Sequence, residues 1–334
     1  MAFNYKDMKP ITSDTVMAEV EQLTARKPAQ AGIFRVRTAN QRLEDAKTQP
    51  IPRNLYHSLI FEGEITFLFA DTGVGKSIFS VQIANEMSKT DKVVYIDLEL
   101  SDKQFQNRYS ENYQNEIVCN DNFIAADFAR PFKVPDGCNY DDYFIDSLKM
   151  LINSTGAKII IIDNMTKLIS SDTDTARAAK PLMDMLTDLK FEYGLTLLLL
   201  EHTRKTDMSR PVCLNDLQGS KMKVNFADAA FTIGRSVKDK NIRYVKQLKC
   251  RSSEIILDSE NVAVYEIIKE DSFLQFRFMD YDTEYNHLKE QNDKDKEQRK
   301  QEAAELKAQN ISNREIARRL GVSEGAIRKW FKGA

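Results

Sequence analysis

A glycine-rich segment, residues 70–77 (ADTGVGKS), contains the residue types that bind a polyphosphate. Gly73 and Gly75 permit a turn in which successive backbone amides point inward, and Lys76 supplies a point charge for the β- and γ-phosphates. The hydroxyl of Ser77 is a ligand that suits Mg²⁺. The segment therefore predicts a site for ATP and Mg²⁺ whose residues are Asp71, Thr72, Gly73, Val74, Gly75, Lys76 and Ser77.

The segments on either side are those that a phosphate-binding loop requires. The apolar run ITFLFA precedes it, and SIFSVQIANEMS, with apolar residues at helical spacing, follows it. Ala70 departs from the motif, which has glycine at this position. A methyl group is tolerated at the end of a strand if the backbone torsions are negative. A coincidental glycine-rich turn would lack both flanking elements, so we favour the phosphate site.

Two carboxylates follow in the order that such a site needs. Asp163 ends the run KIIIID and should emerge at the carboxyl edge of the sheet, where it would hold Mg²⁺ through water. Glu99 follows the run VVYID and can face the γ-phosphate, where it would orient the attacking water as general base. Asp97 in this role, or a merely solvated Glu99, is the alternative, and we favour Glu99.

Apolar runs of strand length alternate with longer amphipathic stretches between about Leu55 and Met279. Unbroken apolar strands separated by helices predict an α/β fold with a mainly parallel sheet that is covered on both faces. Two further segments, residues 242–249 and 262–279, alternate more and should extend the sheet antiparallel at its edge. The four runs that carry this prediction are ITFLFA (65–70), VVYID (93–97), KIIIID (158–163) and LTLLLL (195–200).

Around this core we predict three smaller parts. An N-terminal arm, residues 1–54, contains a possible helix opened by Ser13 and Asp14. The core spans residues 55–280, and a densely charged linker helix, residues 281–307, follows it. The last part, residues 308–334, regains an apolar period and should form a small all-α helix-turn-helix domain.

Composition excludes several classes of protein. The net charge of −2 means that affinity for nucleic acid must come from local basic patches. The four cysteines stand far apart and form no CxxC pair, so neither a disulfide framework nor a structural zinc site is indicated. The longest apolar runs have the length of strands, and the N-terminus lacks an apolar core. We therefore expect a cytoplasmic protein with no membrane partner.

The segment YIDLELSDKQFQNR, with its Glu directly after the second strand, resembles the RecA and DnaB helicase class rather than the GTPase or AAA+ classes. The nearest resemblance is to the plasmid RepA-type hexameric replicative helicases, over roughly Glu62 to Arg251. It implies a RecA-like P-loop NTPase core, ATP and Mg²⁺ as cofactors, and a homo-oligomeric, hexameric ring. Ala70, which RepA-type proteins share, and the lack of a large primase-binding domain like that of DnaB are departures from the wider pattern.

The resemblance also implies roles for later residues. LLLLEHTRK (197–205) is similar to a strand that ends in a polar sensor, so His202 would read the γ-phosphate and relay its loss. In QLKCRSS, Lys249 and Arg251 match a Lys-x-Arg pair that reaches a neighbouring subunit's nucleotide. Residues two apart on a strand point to the same side and can share one phosphate. A structural histidine and an exposed basic strand are the alternatives.

Two polar connections, residues 169–180 and 204–223, follow the strands that end in Asp163 and His202. LNDLQGSKMKVNFADAAF (214–231) resembles the mobile loop and strand that line the family's central channel. We predict that these loops contact the phosphates of single-stranded DNA, although exposed loops also carry basic residues for solubility. The candidate contacts are Arg177, Arg210, Lys221 and Lys223.

Residues 311–332 (ISNREIARRLGVSEGAIRKWFK) have the spacing of a helix-turn-helix, with Ala317, Gly321 and Ile327 at its crossing, turn and core positions. The segment is locally basic and resembles modules of resolvases and mobile-element proteins, so it predicts binding to duplex DNA; protein binding or simple packing are the alternatives. The charged linker should leave this module independent. Ser323 should cap the second helix. The residues that we expect to face the groove of duplex DNA are Ser323, Gly325, Ala326, Arg328 and Lys329.

Three functions are compatible with these motifs. The first is an ATP-dependent DNA helicase or translocase, a ring that acts in replication or transfer of a plasmid or mobile element. The second is a nucleotide-switched DNA-binding regulator or assembly ATPase that does not translocate. A recombinase-like filament former is disfavoured, because such proteins carry an N-terminal polymerisation motif that this sequence does not show.

Overall fold

The computed structural model describes residues 29–168, 176–203, 207–217, 221–289 and 293–332. The chain forms two compact units, Met1–Pro52 and Arg53–Ala334. In the first unit, strands β1 (Ala29–Ala31) and β2 (Phe34–Val36) pair antiparallel and helix α1 (Ala39–Lys47) follows. The helix predicted from Ser13 and Asp14 lies outside the described residues.

Among its described residues, the second unit is built around a sheet of nine strands in the order β13-β12-β11-β10-β5-β9-β8-β6-β7. The strands from β10 to β7 in this order are parallel, and β11, β12 and β13 are antiparallel at one edge. A separate two-stranded sheet contains β3 (Asn54–Tyr56) and β4 (Ile60–Phe61). The main strands are β5 (Ile65–Ala70), β6 (Val93–Asp97), β7 (Phe123–Ala126), β8 (Ile159–Asp163), β9 (Thr196–His202), β10 (Ala229–Arg235), β11 (Ile242–Lys249), β12 (Val262–Glu270) and β13 (Phe273–Asp282).

Helices cover both faces of this sheet. Alternate residues of β5 enter two separate cores, with Phe67 on one face and Leu68 on the other, as expected for strands that are buried on both sides. The prediction of an α/β fold with a mainly parallel sheet and an antiparallel edge is confirmed. None of the described helices is long and apolar enough to cross a membrane. The helices of the core are α2 (Lys76–Met87), α3 (Asp102–Arg108), α4 (Tyr140–Thr155), α5 (Ala176–Tyr193) and α6 (Lys221–Phe226).

The last strand and the turn after it differ from the predicted linker. Strand β13 extends to Asp282, and a 3₁₀ helix, Glu284–His287, follows. The Glu284 carboxylate is completely buried and accepts hydrogen bonds from Lys246 Nζ at 2.6 Å and from the backbone N–H of Val212 at 2.9 Å. Residues 281–288 therefore belong to the core, because a carboxylate that looks solvated in sequence is satisfied by partners from distant segments.

The C-terminal helices α7 (Asp293–Ala308), α8 (Asn313–Leu320) and α9 (Glu324–Lys332) form one small all-α module. Its core joins Ile316, Leu320 and Ile327 of the helix-turn-helix to Ala303 of α7, with Trp330 packed against them. The second half of the predicted linker helix is thus part of the module.

The module also contacts the core, which differs from the independence predicted for it. A Cβ atom added to Gly321 would lie 3.7 Å from both Arg210 Cβ and Pro211 Cδ. Gly321 has a φ of 62°, the left-handed conformation that ends α8. The turn of the helix-turn-helix therefore rests on the segment that follows β9.

Candidate nucleotide site

The phosphate-binding loop connects β5 to α2 at the carboxyl edge of the sheet. Gly75 has a φ of 111°, and a Cβ atom there would lie 2.9 Å from Phe276 Cζ. Glycine is required twice, by backbone conformation and by close packing. Ala70 is the buried last residue of β5 and lacks a positive φ, which explains why its methyl group is tolerated. Its carbonyl accepts a hydrogen bond from Lys76 Nζ at 2.7 Å.

Two arginines that the sequence analysis did not single out support this loop. Arg235 Nη2 donates to the carbonyl of Thr72 at 2.8 Å, and Arg243 Nε donates to the carbonyl of Val74 at 2.8 Å. They lie opposite each other on β10 and β11. Burial, and secondarily the charge of Arg235, lowers the pKa of Arg243. Arg243 shares a face of β11 with Val245, Gln247 and Lys249, a mostly polar set, so period-two alternation gave no signal that it is buried.

Asp163 and Ser77 meet beside the loop. Asp163 is buried at the end of β8, and its carboxylate accepts hydrogen bonds from Tyr95 Oη at 2.6 Å and from the Ser77 hydroxyl. Burial raises the pKa of Asp163, and the two hydrogen bonds oppose that shift. A buried carboxylate next to a hydroxyl fits Mg²⁺, which takes few protein oxygens and completes its shell with phosphate and water. No described group of three or more His, Cys, Asp or Glu side chains could hold a metal ion by itself.

Glu99, Asn164 and His202 form a cluster at the same edge, each at or just after the end of a different strand. Asn164 Nδ2 donates to Glu99 Oε1 and lies 3.2 Å from His202 Nε2. His202 Nε2 is 3.8 Å from Glu99 Oε1. The neighbouring imidazole is the main cause that holds the pKa of Glu99 below its ordinary value, and Asn164 and Lys76 act in the same direction. Glu99 is therefore an ionised carboxylate that can orient water.

Lys76 connects this cluster to the phosphate loop. Its Nζ lies 3.1 Å from His202 Nδ1, and burial lowers the pKa of Lys76 although Asp163 and Glu99 oppose the shift. Asp97, the alternative to Glu99, is engaged elsewhere, because its Oδ1 accepts the backbone N–H groups of Glu99 and Leu100 at 3.0 and 2.8 Å. The geometry favours Glu99 over Asp97.

Lys249 and Arg251 lie near the amino ends of the parallel strands, opposite the phosphate loop. Lys249 pairs with Ala230 near the start of β10, and its Nζ donates to the carbonyl of Val224 at 2.6 Å. Arg251 follows the end of β11 rather than sharing the strand, and its Nη1 donates to Asp228 Oδ1 at 2.9 Å. The described structure does not bring either residue to the P-loop of its own chain.

The prediction that Lys223 contacts DNA as an exposed cation of a loop is wrong. Lys223 is 3% exposed and its Nζ donates to the buried carboxylate of Glu201, the residue before His202. The reason is that α6 begins within the predicted loop and turns Lys223 inward. Arg210 remains partly exposed and is paired with Asp216 at 3.0 Å. The side chains of Arg177 and Lys221 lie outside the described part of the chain.

The predicted recognition face of the module is open to solvent. Gly325, Arg328 and Lys329 are exposed on α9. The Ser323 hydroxyl accepts the backbone N–H of Ala326 at 3.0 Å, so Ser323 caps this helix.

Comparison with known proteins finds family models that match two parts of the chain. A family model described as an AAA domain matches residues 34–208, and a second, described as a homeodomain-like domain, matches residues 294–333. No curated protein matches the chain. Among solved structures, a KaiC-like protein from the hyperthermophilic archaeon Pyrococcus horikoshii has 16% sequence identity and a TM-score of 0.48, over 66% of this chain and 94% of that one.

The fold, the phosphate loop and the C-terminal helices together define a P-loop ATPase with a helix-turn-helix domain. The chain belongs to the AAA domain family. The description of this family, an AAA domain, does not specify RepA-type or DnaB-type helicases.

Proposed function

We propose that the chain is an ATP-dependent DNA helicase or translocase of the RepA-like kind, which acts as a hexameric ring in replication or transfer of a plasmid or mobile element. The observation that carries the proposal is the convergence of Lys76, Asp163, Glu99 and His202 at one edge of the sheet. Together these residues supply the parts that ATP hydrolysis needs.

Each residue has a distinct task in this site. The loop amides and Lys76 bind the phosphates of ATP, while Ser77 and Asp163 would hold Mg²⁺, which neutralises charge on the transferring phosphoryl group. Glu99 orients the attacking water and accepts its proton. His202, already in contact with Lys76 and close to Glu99, responds to the γ-phosphate.

The segment after His202 supports a coupling to DNA. Thr203 forms an isolated antiparallel bridge with Leu217, so the loop between them is closed at its base next to the sensor. Lys223 and Glu201 form a buried ion pair that ties α6 to the same strand. A displacement of His202 therefore reaches both ends of a loop that contains Arg210, one of the candidate DNA contacts.

A ring would give Lys249 and Arg251 a role that they lack within one subunit. Both lie far from their own P-loop, near the amino ends of the parallel strands. In an oligomer assembled head to tail, that end of the sheet can approach the next subunit's nucleotide.

Strand displacement on forked DNA tests the proposal. Wild-type protein with ATP should displace the strand, whereas Lys76→Ala protein, or wild-type protein without ATP, should not. Wild-type protein that hydrolyses ATP but leaves the fork intact over a range of protein concentrations would refute helicase activity.

A second candidate is a nucleotide-switched DNA-binding ATPase that does not translocate. The contact of Gly321 with Arg210 and Pro211 favours it, because the turn of the DNA-reading module rests on the segment controlled by the sensor strand. This candidate predicts that affinity for a specific duplex differs between the ADP state and a non-hydrolysable ATP state. Equal duplex affinity in both states would exclude it.

A further inference from the structure

A groove of about 740 Å³ lies between the helix-turn-helix module and the segment that follows β9. Residues 210–215 form part of one wall, and side chains of α7 and α8 form the other. Every charged side chain described in its lining is cationic, although the chain has a net charge of −2. These cations are Arg210, Lys246, Arg299, Arg318 and Arg319.

Arg299 distinguishes this groove from an ordinary basic surface. Its Nη1 atom is buried and has no hydrogen-bond partner among the described residues. A buried guanidinium nitrogen that lacks an acceptor is destabilising, and an anion bound in the groove that Arg299 lines would offset part of that cost through its charge.

Arg210, Arg318 and Arg319 are held by carboxylates that do not line the groove, which leaves their remaining donors available to a ligand. Lys246 contributes its charge alone, because its three donors already bind Val212, Ser259 and Glu284. The pairs are Arg210 with Asp216, Lys246 with Glu284, and both Arg318 and Arg319 with Glu315.

We propose that this groove binds single-stranded DNA through its phosphates, between the ATPase core and the module. Four of the five cations are arginines, whose forked donors match phosphate oxygens better than lysine does. Leu248 and Tyr285 in the lining offer surfaces on which bases can pack, the combination typical of single-strand sites. The inference rests on the proposed function in that it takes DNA as the partner.

The groove is separate from the predicted duplex site. Arg328 and Lys329 of α9 are exposed and do not line it. A strand held in the groove would contact Arg210, which belongs to the loop closed by the Thr203 and Leu217 bridge. A DNA strand bound in the groove would then connect the nucleotide site to the duplex-reading helix.

Neutralising two groove arginines tests the assignment. Binding of a labelled oligothymidylate to the full-length protein should be measured by fluorescence anisotropy over a series of salt concentrations. The Arg299→Gln/Arg318→Gln double variant should bind several-fold more weakly, and the salt slope should fall by about 0.7 for each lost phosphate contact. Arg314→Gln, on the same helix as Arg318 but outside the lining, should match the wild type. A wild-type slope in the double variant would overturn the proposal.

The natural cysteines supply a second measurement that needs no substitution. Cys213 lines this groove, whereas Cys119 lines a different pocket, and both thiols are half-buried and free. Oligothymidylate should slow maleimide labelling of Cys213 and leave Cys119 unchanged. Equal labelling of Cys213 with and without DNA would overturn the proposal. Protection by polyglutamate as strong as by DNA at equal ionic strength would assign the groove to an acidic protein and overturn it also.

DNA binding by the wild-type protein distinguishes an error about the groove from an error about the proposed function. If the wild-type protein binds single-stranded DNA but the double variant and the labelling show no effect, the groove is wrong and the proposed function stands. If the wild-type protein binds no DNA, both are wrong.

Discussion

The nucleotide edge of the sheet and the C-terminal module use charged residues in opposite ways. At the nucleotide edge, Glu99, Asn164 and His202 come from separate strands and meet in a partly buried cluster. In the module, Arg328 pairs with Glu324 one helical turn away, and the side chain of Arg328 is 63% exposed.

This difference separates two kinds of constraint. A charge at the nucleotide edge is positioned by partners far along the chain, and its removal leaves those partners unpaired in a medium of low polarity. A charge on the module contributes little to folding, since exposed pairs between neighbours in a helix are weak. The module can therefore change its binding specificity at little cost to stability, while the nucleotide edge cannot.

The largest expected effect is at the phosphate loop. Lys76→Ala should abolish ATP turnover, because the site loses its phosphate-binding charge, whereas Glu99→Gln should still bind nucleotide and lose hydrolysis by about 100-fold or more. Nucleotide binding and phosphate release should be measured separately. Glu86→Gln, which changes an exposed carboxylate on α2 that pairs with Lys89, is the matched control and should retain turnover. A change of only a few-fold in Glu99→Gln would remove Glu99 from its role.

The next effect tests whether the residues near the amino ends of the parallel strands serve a neighbouring subunit. Arg251→Ala should reduce turnover by about 10³-fold if this arginine acts as a finger in trans. Mixing Arg251→Ala subunits with Lys76→Ala subunits should restore part of the activity, because some interfaces then combine an intact loop with an intact arginine. Turnover that is strictly proportional to protein concentration, with no recovery on mixing, would place Arg251 outside the site.

Much of the fold follows from local pattern. The strands β5, β6, β8 and β9 are unbroken apolar runs, and the glycine-rich loop between β5 and α2 has a motif with a defined structural context. The helix-turn-helix was recognisable because Ala317, Gly321 and Ile327 stand at fixed spacing.

What the sequence could not predict depends on contacts between distant segments. Glu284 looks like part of a solvated linker until Lys246 of β11 is placed against it. Lys223 looks like a loop cation until Glu201 is found beneath it. Arg243 supports the phosphate loop only because β11 lies antiparallel to β10. A charged residue in one sequence does not reveal whether its partner is solvent or a buried ion.

A smaller effect should appear in folding stability when the buried pair beside the sensor is broken. Lys223→Met should lower the free energy of unfolding by about 3 to 5 kcal/mol, because Glu201 would be left buried without its cation. Replacing both partners with Met should recover part of that loss. Lys180→Met, which removes an exposed cation paired with Asp184, should cost about 1 kcal/mol or less. Urea denaturation measures all three, and equal losses for Lys223→Met and Lys180→Met would contradict the burial of the first pair.

The smallest effect on the fold, and the sharpest on recognition, is expected at Arg328. Its exposed pair with Glu324 means that Arg328→Ala should leave the free energy of unfolding within about 0.5 kcal/mol of the wild type. If Arg328 contacts a base edge, the variant should lose about 1 to 3 kcal/mol of affinity for a cognate duplex and little for bulk DNA, since phosphate contacts are retained. Equal losses on both would show that Arg328 contacts phosphate. Gel-shift competition measures the ratio of the affinities for cognate duplex and bulk DNA, with ATP turnover as the control that should not change.

Full duplex selectivity in Arg328→Ala would move recognition away from α9. Selectivity retained after removal of residues 293–334 would reassign the module to protein contacts.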